Sequence, residues 1–131
     1  MSYAYSSRSQ AMIDQVDPRL QLVVNELITV MDVSVLTGHR TQTEQDAAYA
    51  SGRSKLAWPN SNHNNVPSLA IDIAPYPISW SELEPYYFMA GAAKAIAARM
   101  GIKLRWGGDW DGDNDFGDQD FNDLVHFEVI E

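Results

Sequence analysis

The chain has 131 residues, enough for one domain, and is 45% hydrophobic, so it can bury roughly two-thirds of its unfolded surface. Its net charge of −9, from 9 basic and 18 acidic residues, argues against nucleic acid as a partner, because phosphates need basic patches. It has no cysteine, which excludes disulfides and thiolate metal sites and leaves His, Asp and Glu as metal ligands.

The beginning, MSYAYSSRSQAM, has no apolar h-region, and no apolar run nears the roughly 20 residues of a membrane helix. The expectation is a soluble monomer made in a cytoplasm, with no membrane insertion. Residues 9–16 are predicted as a short helix. Asp17 followed by Pro18 reads as a helix start, with Asp as N-cap and Pro at the first helical position. Leu20, Val23, Val24, Leu27 and Met31 then recur at helical spacing and predict a core-facing helix to about Met31. VSVL, residues 33–36, reads as a strand broken by Gly38. Thr43 is placed to cap a helix running to about Ala50. Residues 51–65, SGRSKLAWPNSNHNN, are polar and rich in Gly, Pro and Asn, and so form a loop. In LAIDIA, residues 69–74, Leu69, Ile71 and Ile73 share one face of a strand, and Ala70, Asp72 and Ala74 the other. PYPISW is a turn. An alanine-rich helix over 85–100 follows, ended by Gly101. Ile102, Leu104 and Trp106 mark a strand, and LVHFEVI, residues 124–130, a further one. This mixture, with its hairpin-like late pair, predicts an α+β domain with a small antiparallel sheet and flanking helices. No repeat or linker interrupts it, so residues 1–131 read as a single domain.

One constellation stands out. An aspartate on a mostly apolar strand is unfavourable unless paired or coordinated. Asp72 shares its strand face with only Ala70 and Ala74, whose small side chains leave room for an ion. His63 lies in the loop feeding that strand, and His126 sits on the final strand, on the same face as Leu124 and Glu128. Two imidazoles, one carboxylate and an open position make a catalytic zinc set. Asp123, three residues before His126, is the natural base beside it. Each residue has a plainer reading: a loop histidine, a strand aspartate bonded to a backbone amide, a packed strand histidine. Arg40 has one too, as a surface arginine paired with Glu44.

Together, SNHNNVPSLAID, GHRT and DLVHFE resemble the zinc peptidases of the D-alanyl-D-alanine carboxypeptidase type, above all the phage L-alanyl-D-glutamate endopeptidases. The family pattern is Ser-x-His, then Ala-x-Asp, then a final Glu/Asp-x-x-His. Here it is met in order by Ser61-Asn62-His63, Ala70-Ile71-Asp72 and Asp123-Leu124-Val125-His126. WGGDW before the last motif is also similar, and the likeness runs over residues 33–128. The family spacing from His to Asp is two residues shorter than here, and many relatives carry Glu at the position of Asp123. The resemblance implies a hedgehog-like α+β zinc peptidase fold, with zinc on His63, Asp72 and His126. It also implies Asp123 as the general base and Arg40 as the group that holds the substrate carbonyl or carboxylate. His39, at the variable position of Gly-x-Arg, is read as a non-ligand. The implied function is an endolysin that cuts the peptidoglycan stem peptide, without a separate wall-binding domain, and acts in the periplasm after release from the host cytoplasm. Two alternatives stay open: a D-alanyl-D-alanine carboxypeptidase or dipeptidase, and a calcium-stabilised, non-enzymatic binding module.

The charge is concentrated. Seven Asp and no Lys or Arg lie between Asp109 and Asp123, leaving 11 acidic against 9 basic residues elsewhere. Alternating aspartates with Gly and Asn place several oxygens around calcium in other loops. Asp109, Asp111, Asp113, Asp115, Asp118 and Asp120 are therefore candidate calcium ligands. The segment is no standard EF-hand, having neither Gly at the sixth position nor Glu at the end.

Overall fold

The computed structural model describes residues 3–115 and 123–130. Helix α1 (Ser7–Ile13) starts from Ser6, whose side chain accepts a hydrogen bond from the Ser9 amide. It is shorter at its C-terminal end than the expected span. Val16 has left the helix to bridge with Ser68, and is almost fully buried there. Helix α2 (Pro18–Leu27) begins as expected, with Asp17 accepting from the Arg19 amide and Pro18 in the first turn. Its regular part stops at Leu27, and the chain continues to Met31 in turns closed on the Leu27 carbonyl.

Strand β1 (Val33–Thr37) follows, then helix α3 (Gln42–Ala50). The cap of α3 is Thr41 and not Thr43. Glu44 stands three residues beyond Thr41, so the two close a reciprocal capping box that Thr43 cannot form. A short 3-10 turn (Asn62–Asn64) leads into strand β2 (Ala70–Pro75). Helix α4 (Glu84–Arg99) ends at Met100, after which Gly101 takes a positive φ of 74° that suits glycine. Strands β3 (Leu104–Gly107) and β4 (Asp123–Val129) complete the fold.

The sheet is antiparallel throughout, in the order β1-β2-β4-β3. Alternation decides its two faces. Ile71, Ile73, Leu104, Trp106, Phe127 and Val129 point into the core, which Leu20, Val23, Val24, Met89, Ala93 and Ile96 complete from α2 and α4. The other face carries the polar set, aligned by register: Asp72 opposite His126, and Ala70 and Arg105 both opposite Glu128. Gly107 makes this alignment possible, because a Cβ there would collide with the Asp123 carbonyl where β4 begins. The α+β class with an antiparallel sheet is as the sequence pattern predicts.

Candidate active site

Three residues meet on the polar face. His63 Nε2 lies 3.1 Å, and His126 Nδ1 3.2 Å, from the same oxygen, Asp72 Oδ1. All three side chains are buried. Each ring has a hydrogen-bond acceptor behind it. His63 Nδ1 donates to the Gly38 carbonyl at 2.8 Å, and a carbonyl can only accept. His126 Nε2 donates to Glu128 Oε1 at 2.7 Å. With those protons in place, an imidazole in its neutral form presents a lone pair toward the Asp72 carboxylate at either position. Three such donors repel one another unless a cation lies between them, and two nitrogens with one oxygen suit a divalent transition metal. His63, Asp72 and His126 thus form a group able to hold a metal.

The same geometry binds protons. Burial works against charge on His126, but its bonds to Asp72 and Glu128 push the imidazolium up to about 9. Burial also opposes ionisation of Asp72, yet the adjacent His63 and His126 hold its carboxyl well below the usual range. Glu128 likewise stays below its ordinary value despite burial, because His126 donates to it. Its second oxygen faces Arg105 Nη1 at 3.4 Å.

Asp123, at the first position of β4, lines the same cleft as the three ligand candidates and Arg40. Burial, and then the charge of Asp72, raise its carboxyl above the ordinary value. A carboxylate raised in this way is a better proton acceptor at neutral pH.

Arg40 does not reach Glu44, which is engaged in the capping box. Its guanidinium turns inward, with Nη2 at 3.6 Å from Asp72 Oδ2 and Nη1 donating to Gln45 Oε1 at 3.0 Å. Its amide donates to the His63 carbonyl. Gln45 is fully buried, and its Oε1 also accepts from Asn64 Nδ2. The sequence gives no signal for Gln45, a glutamine in a polar helix like any other. Glu128 had one: it alternates with His126, and so shares its face. His39 takes no part in the metal group; its amide donates to Gln15 Oε1.

The cleft around these residues has a volume of about 770 Å³. Trp80 and Trp110 line it, the latter with its ring 5.3 Å from that of His126. Trp106 belongs to the core instead.

In the acidic loop, Asp109, Asp111 and Asp113 bring carboxylate oxygens within 4.8 Å of one another. Asp109 is buried. Its Oδ2 accepts from the Asn114 amide at 2.9 Å, while Oδ1 has no hydrogen-bond partner among the described residues. Asp115 stands outside this trio, its amide donating to Asp113 Oδ1. Asp118 and Asp120 lie outside the described residues.

Known proteins resemble this chain in family and in fold. The family pattern described as phage L-alanyl-D-glutamate peptidase matches residues 1–130. The L-alanyl-D-glutamate peptidase of Escherichia phage T5 is 32% identical over 124 residues, which cover 91% of this chain and 90% of that protein. Among solved structures, the L-Ala D-Glu endopeptidase ChiX of Serratia marcescens superposes with a TM-score of 0.76 at 26% identity. The match covers 97% of this chain and 90% of that one.

Proposed function

We infer the chemistry from kinship and site together: the chain belongs to the phage L-alanyl-D-glutamate peptidase family, and we propose that it is a zinc endopeptidase cutting the L-alanyl-D-glutamate bond of peptidoglycan stem peptides. The observation that carries this reading is the convergence of His63, Asp72 and His126 beside Asp123 in one cleft. His63, Asp72 and His126 would hold the zinc, which would supply Lewis-acid chemistry to the scissile carbonyl. The protein's own residues do the rest. Asp123 takes a proton from the attacking water and returns it to the amine of the leaving glutamate. Arg40, held by Gln45, offers guanidinium N–H groups to the negative charge that develops on the alanyl carbonyl oxygen. Gly38 and Glu128 fix the two imidazoles in their ligating tautomers. As an endolysin, the protein acts on the wall in the periplasm once released from the host cytoplasm.

Elemental analysis of the purified protein, with a turbidity assay on cell walls with and without chelator, tests the reading. The expected result is one zinc per chain, lysis that the chelator abolishes, and products bearing a new amino-terminal glutamate. His126→Ala retaining full zinc would refute the ligand set. Release of terminal D-alanine alone would move the reaction to a carboxypeptidase.

We further propose that the acidic loop binds calcium through Asp109, Asp111 and Asp113. The buried Asp109 Oδ1, which has no hydrogen-bond partner among the described residues, supports this. Asp115, Asp118 and Asp120 are the candidates for the remaining oxygens that calcium takes. The loop leads to Asp123, so ordering it positions the base. Activity should rise with calcium at fixed zinc and ionic strength, and magnesium should not replace it. A flat curve, or an equal response to magnesium, would leave the loop merely solvated.

A further inference from the structure

We propose that the hollow beside the start of β4 is a carbohydrate subsite, in which Trp80 stacks on the sugar ring that carries the stem peptide. The inference rests on the reaction assigned above and extends it to the part of the substrate beyond the peptide. Trp80 is 68% exposed, yet its position is built. Its ring stacks on that of Tyr86, with centroids 6.1 Å apart and planes 24° from parallel. Tyr86 is buried, and its hydroxyl donates to the Ser79 carbonyl at 2.8 Å. Ser79 Oγ accepts from the amides of Ser81 and Glu82. The turn is thus closed on both sides of Trp80, which presents most of a held indole to solvent. Aromatic side chains fixed in this way anchor binding sites, because little freedom is lost when they meet a ligand.

Trp80, Leu83, Tyr86, Leu124, Val125 and Asp123 line a hollow of about 210 Å³. Trp80, Val125 and Asp123 also line the main cleft, so the two spaces adjoin at the proposed base. Their linings differ. The cleft carries Arg40, Ser54, Asn60 and Asn62, with Ser54 Oγ fixed by Gln45 Nε2 at 3.0 Å. Among the described residues, only Asp123 brings a charge to the hollow, and it is a carboxylate.

The substrate divides in the same way. On the glutamate side of the scissile bond the peptide keeps a free carboxylate, which an aspartate-lined hollow repels. On the alanyl side it is uncharged: one alanine, then a lactyl group, then the pyranose ring of the glycan strand. Alanine and lactyl group together reach only about 7 Å when extended, so the ring must lie at the site and not beyond it. The hollow's 210 Å³ is about seven times the volume of a water in the liquid, more than an alanyl methyl fills. The faces of a pyranose present C–H groups, whose partial positive charge suits the negative face of an indole. Seating the ring on Trp80 therefore sets the short alanyl link beside Asp123.

A matched substrate pair tests this: a stem peptide bearing its muramic acid, and the same peptide with an acetyl group on the alanine in place of the sugar unit. The native protein should favour the sugar-bearing compound by about 10-fold in kcat/KM, the scale of one well-placed tryptophan contact. In Trp80→Ala that ratio should fall toward one. The fall should come through a higher KM for the sugar-bearing peptide, with zinc content and melting temperature as in the native chain. Trp80→Phe keeps a ring over Tyr86 and should keep part of the preference. An undiminished ratio in Trp80→Ala, or a loss in Trp80→Phe as complete as in Trp80→Ala, would overturn the proposal. Cleavage of both compounds at equal rates by the native protein sinks the subsite alone. If the native protein cleaves neither, the assigned reaction itself fails and takes this subsite with it.

Discussion

Replacing Glu128 by alanine separates a metal-orienting role from a catalytic one. Glu128 Oε1 accepts from His126 Nε2 at 2.7 Å, both groups are buried, and its other oxygen meets Arg105. Without the carboxylate, the Nε2–H has no acceptor, and the ring is free to flip or change tautomer. Losing such a partner typically weakens metal binding about 10- to 100-fold, or about 1.4 to 2.7 kcal/mol. Glu128→Gln keeps an acceptor oxygen at the same reach and should lose less. Competition against a fluorescent zinc chelator, on protein first stripped and then titrated, measures both. Zinc affinity within about twofold of native in Glu128→Ala would refute the orienting role. Glu128→Gln with full zinc but no activity would make Glu128, and not Asp123, the base.

Asp123→Asn should keep its zinc and lose about 100- to 10,000-fold in rate, since the amide cannot accept a proton; loss of zinc would instead make Asp123 a ligand. Arg40→Ala should cost about a hundredfold or more in kcat with metal content unchanged, and near-normal turnover would reduce the arginine to a structural ion pair. Asp17 is held below its ordinary value chiefly by the side-chain hydrogen bond from Arg19. Its contribution is therefore present above the unfolded pKa near 4 and lost as pH falls through the depressed folded value. Asp17→Asn keeps a good N-cap, so denaturation curves of variant and native protein should differ at pH 6 and converge in acid; a gap that persists in acid would mean the cap, and not the ion pair, was lost.

Much of this was legible in the chain because it depends on local pattern. The Asp17-Pro18 start, the alternation through Asp72 and the placement of His126 and Glu128 on one strand face all follow from periods of 3.6 and 2. The ordered motifs around His63, Asp72 and His126 named residues that the fold does bring together. What stayed hidden depends on contacts distant in sequence. Nothing near Gln45 announces that its side chain joins Arg40, Asn64 and Ser54. The need for glycine at position 107 shows only when β4 is laid against it. Thr41 and Thr43 are equally good caps in isolation, and only Glu44, three residues after one of them, decides. Trp80 looked like part of a turn, and its place on the cleft wall, beside a hollow it shares with Asp123, Leu124 and Val125, depends on residues distant in sequence.

The strand order has a consequence for how the molecule comes into being. β4 lies between β2 and β3, although both are synthesised before it. A growing chain can form the helices and pair β1 with β2, but the gap beside β2 stays unfilled until residues 123–129 emerge. Closing it joins segments far apart in sequence, a step whose loop-closure entropy slows folding. The same insertion delivers His126, Glu128 and Asp123 in one stroke, opposite partners already in position. A nascent chain that stops short of β4 therefore supplies only His63 and Asp72 of the proposed ligand set, and hydrolytic competence arrives together with the completed sheet.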